Sequence, residues 1–304
     1  MPKVTVALIT YNRIKYLKEA IEGVLQQTYK DFELIIMDNG STEETYQFIK
    51  PYLNDKVKYY RNSINSRNIV NKIFDLFSSE YLIITHDDDI MMENLLENQV
   101  AILEKNQDIS IIASNTMFID ENSAIIKNKS QNIKKDIIWS KNEFIKDSII
   151  NNLYIPCPTV MIRKMIFDKY NLRFNLNVGP ATDLYLWYET NLLDFKMYFL
   201  HEPLYKYRIH NLQDSTVSRI EMEFSIYSPI LEFLAKNELN DLIPIEKRRR
   251  HNILFDTIIN SYYHHNINFK EMSMLISKLR SLGFLPSVHS LRSSIKFLIR
   301  SIKL

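Results

Sequence analysis

Glycine is scarce in this chain, at 4 of 304 residues. That leaves little room for phosphate loops built from several glycines, so any bound phosphate must be held another way. Cysteine is scarcer. Cys157 stands alone, and neither an intramolecular disulfide nor a cysteine-rich metal site can form. A reducing compartment is the expectation. No run approaches the roughly 20 apolar residues of a membrane span. The N-terminal stretch MPKVTVALITYNR has no apolar segment long enough for a secretory signal, so the protein is expected in the cytoplasm. An excess of one charge is also lacking. Lys and Arg number 38 against 36 Asp and Glu, and a net +2 argues against a global field for nucleic acid. What remains is 46% hydrophobic and 24% charged, as in an ordinary soluble protein of one large or two smaller domains.

The most telling stretch is Tyr81 to Ile90, YLIITHDDDI. An apolar, β-branched run enters three consecutive carboxylates, Asp87, Asp88 and Asp89. The run suits a buried strand. Three like charges at its end repel unless a cation neutralises them, and open α/β sheets bind ligands beyond their strand ends. A divalent metal site with a phosphate ligand is one reading. An acidic turn at the start of a helix over Met92 to Leu103 is the other.

The chain before this stretch alternates. Strands are predicted at Lys3 to Thr10, Glu33 to Met37 and Val57 to Tyr60. Between them, apolar residues at helical spacing predict helices from Ile14 to about Gln27, from Ser41 to near Tyr52 and from Ile69 to Phe77. Ser41 and Glu44 have the spacing of a capping box. Seven alternating elements imply a parallel sheet with helices on its faces. The polar clusters Thr10 to Arg13, Asp38 to Ser41 and His86 to Asp89 then share one sheet edge, which favours the metal reading.

The middle is less regular. Ser110 to Ala113, Asn115 to Ile119, Lys196 to His201 and Leu204 to Arg208 read as strands, and Asp136 to Ile149 as a helix. Asp120 to Asn132 is a polar loop, and Tyr154 to Ile162 is extended and bent by Pro156 and Pro158. A loop over Asn175 to Thr182 precedes an aromatic-rich helix, Asp183 to Leu193. From about Arg219 the pattern is helical, with a break at Leu242 to Pro244 and a basic run, Glu246 to Arg250. In Leu291 to Leu304, Arg292, Lys296, Arg300 and Lys303 fall on one helical side beside Leu291, Ile295, Leu298 and Ile302. That pattern fits either an interfacial helix on anionic lipid or a packed helix with a solvated face.

Taken together, Thr10-Tyr11-Asn12-Arg13, Asp38-Asn39-Gly40-Ser41-Thr42, Asn71, the acidic cluster and Asp183 occur in an order that resembles the inverting family 2 glycosyltransferases of the GT-A fold. The resemblance covers roughly residues 3 to 215. It implies an α/β GT-A fold, with a mixed sheet flanked by helices and a C-terminal helical extension. The implied boundaries are a catalytic domain at 1–218, divided into a nucleotide-sugar half (1–114) and an acceptor half (115–218), and an extension at 219–304. It implies transfer of a sugar from a nucleotide-sugar donor, a UDP-sugar, to a glycan acceptor of the lipid-linked O-antigen, capsule or lipooligosaccharide type, at the inner face of the membrane.

The resemblance also assigns residues. Mn2+ or Mg2+ would be held by Asp88 with assistance from His86 and His210. Thr10, Tyr11, Arg13, Asp38, Arg67, Asn71 and Asp87 would bind the nucleotide sugar, with Asp38 accepting from the base. Asp183 would be the general base. Arg208 and His210 would approach the metal or diphosphate. The chain departs from the family pattern at two points. His86 stands where the first Asp of Asp-x-Asp is usual, and Thr182 stands where Glu often precedes the base.

Each assignment has a simpler structural counterpart: core packing for Tyr11, Tyr185 and Trp187, a turn for Asp38, and a helix first turn for Asp183. A non-catalytic nucleotide-sugar-binding homologue and another nucleotide-dependent metal enzyme are the alternative functions. Three arginines at Arg248 to Arg250 are a weak basis for nucleic-acid binding, and none is expected.

Overall fold

The computed structural model describes residues 1–179, 182–210 and 216–284. The first 86 residues form β1 (Val4–Thr10), α1 (Ile14–Leu25), β2 (Phe32–Asp38), α2 (Glu43–Ile49), β3 (Val57–Arg61), α3 (Ile69–Leu76) and β4 (Tyr81–His86). The four strands are parallel, in the order β3-β2-β1-β4. Continuous apolar runs make them, because a strand covered on both faces has no polar side. Val4, Val6, Leu8, Leu34, Ile36 and Ile83 are fully buried in one core with Leu17 and Ile21 of α1. Register places Thr10 opposite Asp38 and Ile9 opposite His86, so three strands end together at one edge.

The sheet continues through β5 (Ile90–Met91), β6 (Ile109–Ile119), β7 (Ile125–Lys127), β8 (Ile137–Trp139), β9 (Met161–Arg163) and β10 (Lys196–Arg208). Its order beyond β4 is β9-β6-β10-β5, with β7 on β6 and β8 on β10. The strand β9 is antiparallel to both β4 and β6, so the sheet is mixed, as the resemblance implied. The helices here are α4 (Leu95–Lys105), α5 (Glu143–Ile150), α6 (Lys164–Lys169) and α7 (Thr182–Asn191).

Several sequence expectations change. Residues 110–113 and 115–119 belong to one strand. Ser114 and Asn115 do not break it, because their polar groups are satisfied internally: Asn115 Nδ2 donates to the Gln131 carbonyl at 2.8 Å, and Ser114 Oγ donates to the Asn115 carbonyl. Residues 196–208 are likewise one strand, and Pro203 sits at a register shift where its missing N–H is tolerated. The expected helix over 136–149 starts only at Glu143, since Ile137–Trp139 pairs with β10 as a strand. The loop over 120–132 contains β7. The Ser41 capping box does not form. Thr42 is the N-cap, and the Ser41 hydroxyl accepts the Asn12 N–H instead, at 2.9 Å.

The described residues divide into two compact units. The first contains Met1–Ile145, Leu153–Leu176 and 183–210; the second contains Lys146–Asn152, 177–179, Thr182 and 216–284. The second is built on α8 (Thr216–Ser225), α9 (Tyr227–Lys236), α10 (Ile243–Tyr263) and α11 (Phe269–Ser281), around Ile220, Leu254, Ile258 and Leu279. The break expected at 242–244 is present, with Pro244 in the first turn of α10, where it costs no hydrogen bond.

The basic run is only partly solvated: Lys247 and Arg248 are exposed, whereas its last member is not. Arg250 is buried and donates through Nε to the fully buried Glu246 at 2.7 Å, and it pairs with Glu223 at 3.1 Å. Among the described residues no helix is long and apolar enough to cross a membrane. The basic segment 291–304 lies outside the described residues.

Candidate active site

The acidic turn after β4 is held from both sides. On one side, the end of β1 turns sharply at Asn12, whose φ is +51°. The turn aims three donors at Asp87: the Thr10 hydroxyl at 2.8 Å, the Tyr11 N–H at 3.2 Å and Arg13 Nη1 at 3.0 Å. The same Arg13 nitrogen reaches Asp88 Oδ2, and His210 Nε2 lies 3.1 Å from that oxygen. On the other side, Asp89 is gripped by β10. Its Oδ1 accepts the Arg208 N–H at 2.8 Å and its Oδ2 accepts the Tyr205 hydroxyl at 3.3 Å.

All three carboxylates are buried, and burial raises the energy of their charged forms. Asp87 is pushed up to about 6 by that burial, although Arg13 opposes it. Burial and the neighbouring Asp88 charge hold Asp89 well above the ordinary range, against the Arg208 N–H and the Tyr205 hydroxyl. Burial lowers His86, with Asp88 opposing and Arg13 adding to the effect, so its imidazole favours the neutral form.

These groups fit a divalent cation. Ligand atoms of His86, Asp88 and Asp89 all lie within 4.8 Å of one another. Asp89 is held by two hydrogen bonds that fix the turn. Asp88 Oδ1, by contrast, takes no hydrogen bond among the described residues. A carboxylate oxygen with a neutral imidazole beside it suits Mn2+ or Mg2+ completed by waters or phosphate oxygens. Asp87 is the anchor for the β1 turn.

The second strand end is equally built. Asp38 is fully buried. It accepts the Ser41 N–H at 2.8 Å and the Tyr59 hydroxyl at 2.5 Å, and Arg61 Nε lies 3.8 Å away. Gly40 next to it has a φ of +86°, and a Cβ there would stand 2.8 Å from the Ile64 carbonyl carbon, so glycine is required. The Asn39 side chain ties down the loop after β3, pairing with Asn62, Asn65 and the Ser66 N–H. That loop needs no glycine of its own.

Thr10, Arg13, His86, Asp87, Asp88 and His210 therefore converge, with Tyr11 on the rim at 42% exposure. Asn71 is engaged elsewhere. It donates to the Phe174 carbonyl and accepts the Phe174 N–H, both at 2.9 Å, which makes it a clip on the segment before α7. Arg67 is exposed on the loop before α3. Asp183 lies in the first turn of α7, half-buried, its Oδ1 accepting the Leu184 N–H at 2.8 Å. Burial raises its carboxyl above the ordinary value. Cys157 is close enough that the Asp183 charge adds to the burial that pushes its thiol up. Trp187 is core, 1% exposed and edge-on to Phe174 at 6.4 Å, whereas Tyr185 is half-buried.

Two participants, Tyr16 and Tyr205, went unread in the sequence, and a third, Arg208, was expected near the metal or diphosphate but is held differently. Tyr16 of α1 packs its ring 5.1 Å from that of His210 and 4.5 Å from the Arg208 guanidinium carbon. Tyr205 bridges Asp89 and the Thr85 hydroxyl. Arg208 is completely buried, so it is not a surface cation awaiting a diphosphate. No local pattern announces any of them, because each acts across more than 100 residues or from within an ordinary amphipathic helix.

Comparison with known proteins agrees with this geometry. The family described as Glycosyl transferase family 2 matches residues 5–170. An uncharacterized glycosyltransferase of Methanocaldococcus jannaschii is 34% identical over 75% of this chain and 77% of its own length. A GalNAc(5)-diNAcBac-PP-undecaprenol beta-1,3-glucosyltransferase of Campylobacter jejuni is 25% identical over 80% of this chain and 76% of its own. Among solved structures, S. aureus TarS 1–349 in complex with UDP-GlcNAc superposes with a TM-score of 0.61 at 16% identity, over 92% of this chain and 80% of that one. The mixed sheet is thus a GT-A fold. The protein belongs to glycosyl transferase family 2 and is a glycosyltransferase.

Proposed function

We propose that the chain is an inverting enzyme that transfers a sugar from a UDP-sugar to a hydroxyl of a lipid-linked glycan. The observation that carries this reading is the convergence of three strand ends on one edge, with Asp88 presented between Arg13 and His210. The donor follows from a buried site rich in carboxylate and cation, and from the UDP-GlcNAc bound by the similar TarS structure. The lipid-linked acceptor is supported by the undecaprenol-linked substrate named for the Campylobacter relative.

In this account Asp38 accepts from the base once the base displaces the Tyr59 hydroxyl or Arg61 that cover its carboxylate. Thr10 and Arg13 act by fixing Asp87 and hence the turn. Asn71 acts indirectly, by holding the segment that leads to Asp183, and Arg67 lies on the loop facing the nucleotide. A divalent cation on Asp88, with His86 and His210 beside it, would neutralise charge on the diphosphate as it leaves. Arg13 reinforces that positive potential from the protein side.

Asp183 takes the proton from the acceptor hydroxyl. The acceptor oxygen bonds to the anomeric carbon as the sugar–phosphate bond breaks, and the electron pair departs on the diphosphate. Attack from the opposite face inverts the anomeric configuration. A raised carboxyl pKa strengthens Asp183 as a base once it is ionised. The test is Asp183→Asn, assayed for donor binding by thermal shift with UDP and for transfer by product formation from a panel of UDP-sugars. Donor binding should survive while transfer falls by on the order of 10²–10⁴. Full transfer in the variant would remove Asp183 from the mechanism.

A further inference from the structure

Arg208 is the most heavily engaged side chain around the acidic turn, and the mechanism above does not use it. It is fully buried at the end of β10. Its Nε donates to the main-chain carbonyl of Asp88 at 2.7 Å. Its Nη1 donates to the Asp120 carbonyl at 3.0 Å and to Ser123 Oγ at 2.9 Å, and its Nη2 donates to Glu19 Oε2 at 3.1 Å. At least four of its five N–H donors are thus directed at protein groups. The Tyr16 ring covers the guanidinium at 4.5 Å.

Resting on the functional reading above, we propose that Arg208 is a positioning residue, clamping the Asp88 backbone to the β6–β7 hairpin and α1 so that the Asp88 carboxylate stays aimed at the cation.

Three observations support a positioning role over simple packing. First, the bond to the acidic turn goes to Asp88 itself, the residue whose Oδ1 is left open for a ligand. A carbonyl displacement there swings the carboxylate. Second, the far end of the clamp is built at a cost. Ser123 holds a left-handed φ of +67°, uncommon for a residue other than glycine, and its hydroxyl donates to Glu19 while accepting from Arg208. Third, the direct counter-ion of the guanidinium lies outside the acidic turn. A buried guanidinium needs a counter-ion, and Glu19 on α1 supplies the direct ion pair, with Asp89 of the turn adding charge through space. Lysine could not reproduce this arrangement, because a single ammonium cannot span four acceptor groups in fixed directions.

The test measures Mn2+ binding directly, by loss of the free-ion paramagnetic resonance signal, in the full chain without donor. Wild type is titrated first, then Arg208→Lys, Ser123→Ala and Glu19→Gln, each kept well below its melting temperature. Ser123 and Glu19 do not touch Asp88, and Arg208 is the residue that joins them to its backbone. Arg208→Lys should weaken Mn2+ binding about tenfold or more and lower kcat/KM on the order of 100-fold, as expected for a misplacement near 1 Å. Ser123→Ala and Glu19→Gln should each weaken Mn2+ binding several-fold, with acceptor KM unchanged. Lowered melting temperatures with wild-type Mn2+ affinity in the folded variants would overturn the proposal. If Arg208→Lys does not fold, the two remote variants decide alone. A wild-type chain that binds no Mn2+ would overturn the metal reading and this proposal with it.

Discussion

The buried carboxyl of Asp87 makes a prediction whose size can be worked out. It is 3% exposed, and burial pushes it up to about 6 despite Arg13 and the Thr10 hydroxyl. In the unfolded chain an aspartate titrates near 3.9. A group whose folded pKa is raised binds its proton more tightly in the native state, so its contribution is largest in acid and is lost as pH climbs towards 6. A gap of about two pH units, at about 1.4 kcal/mol each, corresponds to roughly 3 kcal/mol. At about 2–4 °C per kcal/mol for a unit of this size, that is a differential fall in Tm of roughly 6–12 °C between pH 4 and pH 6.5.

Asp87→Asn removes the titration while keeping the shape and the Thr10 contact. The variant will differ from wild type at every pH because it loses the Arg13 ion pair, so the comparison is of slopes and not of absolute values. Scanning calorimetry of both proteins, with a chelator present to strip any cation, should show wild type losing stability relative to the variant as pH rises. Parallel curves would refute the claim that burial raises the Asp87 carboxyl above its unfolded value, and with it the electrostatic picture of the turn.

Three other outcomes follow. Asn71→Ala should lower stability by about 1–3 kcal/mol, since it strands both backbone groups of Phe174. Donor affinity measured by UDP titration should change little in that variant, whereas a large loss of UDP affinity would return Asn71 to the nucleotide site. In pH profiles, kcat/KM should rise with pH through a limb displaced above the ordinary aspartate range, because burial raises Asp183 and only its ionised form accepts a proton. That limb should vanish in the residual rate of Asp183→Asn, and its persistence would assign it to another group.

The half of the fold that builds the edge at the acidic turn was legible because its strands are covered on both faces and so read as unbroken apolar runs. Val4 to Thr10 and Tyr81 to His86 leave no other interpretation, and their ends carry the polar residues that became the site. Legibility failed where polar residues are buried. Ser114 and Asn115 read as a break between strands because sequence alone does not show that Gln131 satisfies the asparagine amide. Ile137–Trp139 read as helix because three apolar residues ahead of an amphipathic helix carry no period of their own.

The same limit separated the two kinds of site residue. Asp87 and Asp88 were visible as an unexplained density of charge. Arg208 was visible only as an arginine, because what it does depends on Asp88, Asp120, Ser123 and Glu19, which meet only in the folded chain. Its burial turned an expected diphosphate ligand into a structural member of the turn.

The central claim is that Asp88 joins the protein to the donor through a divalent cation. Its most direct measurement is the Tm of wild type and Asp88→Asn with UDP, with Mn2+, and with both. A ligand at about 100 times its dissociation constant stabilises the native state by about 2.7 kcal/mol. Wild type should therefore show a rise of several degrees with UDP and Mn2+ together that neither produces alone. Asp88→Asn, folded and with an unchanged unliganded transition, should lose that joint rise. An equal joint rise in the variant would contradict the account.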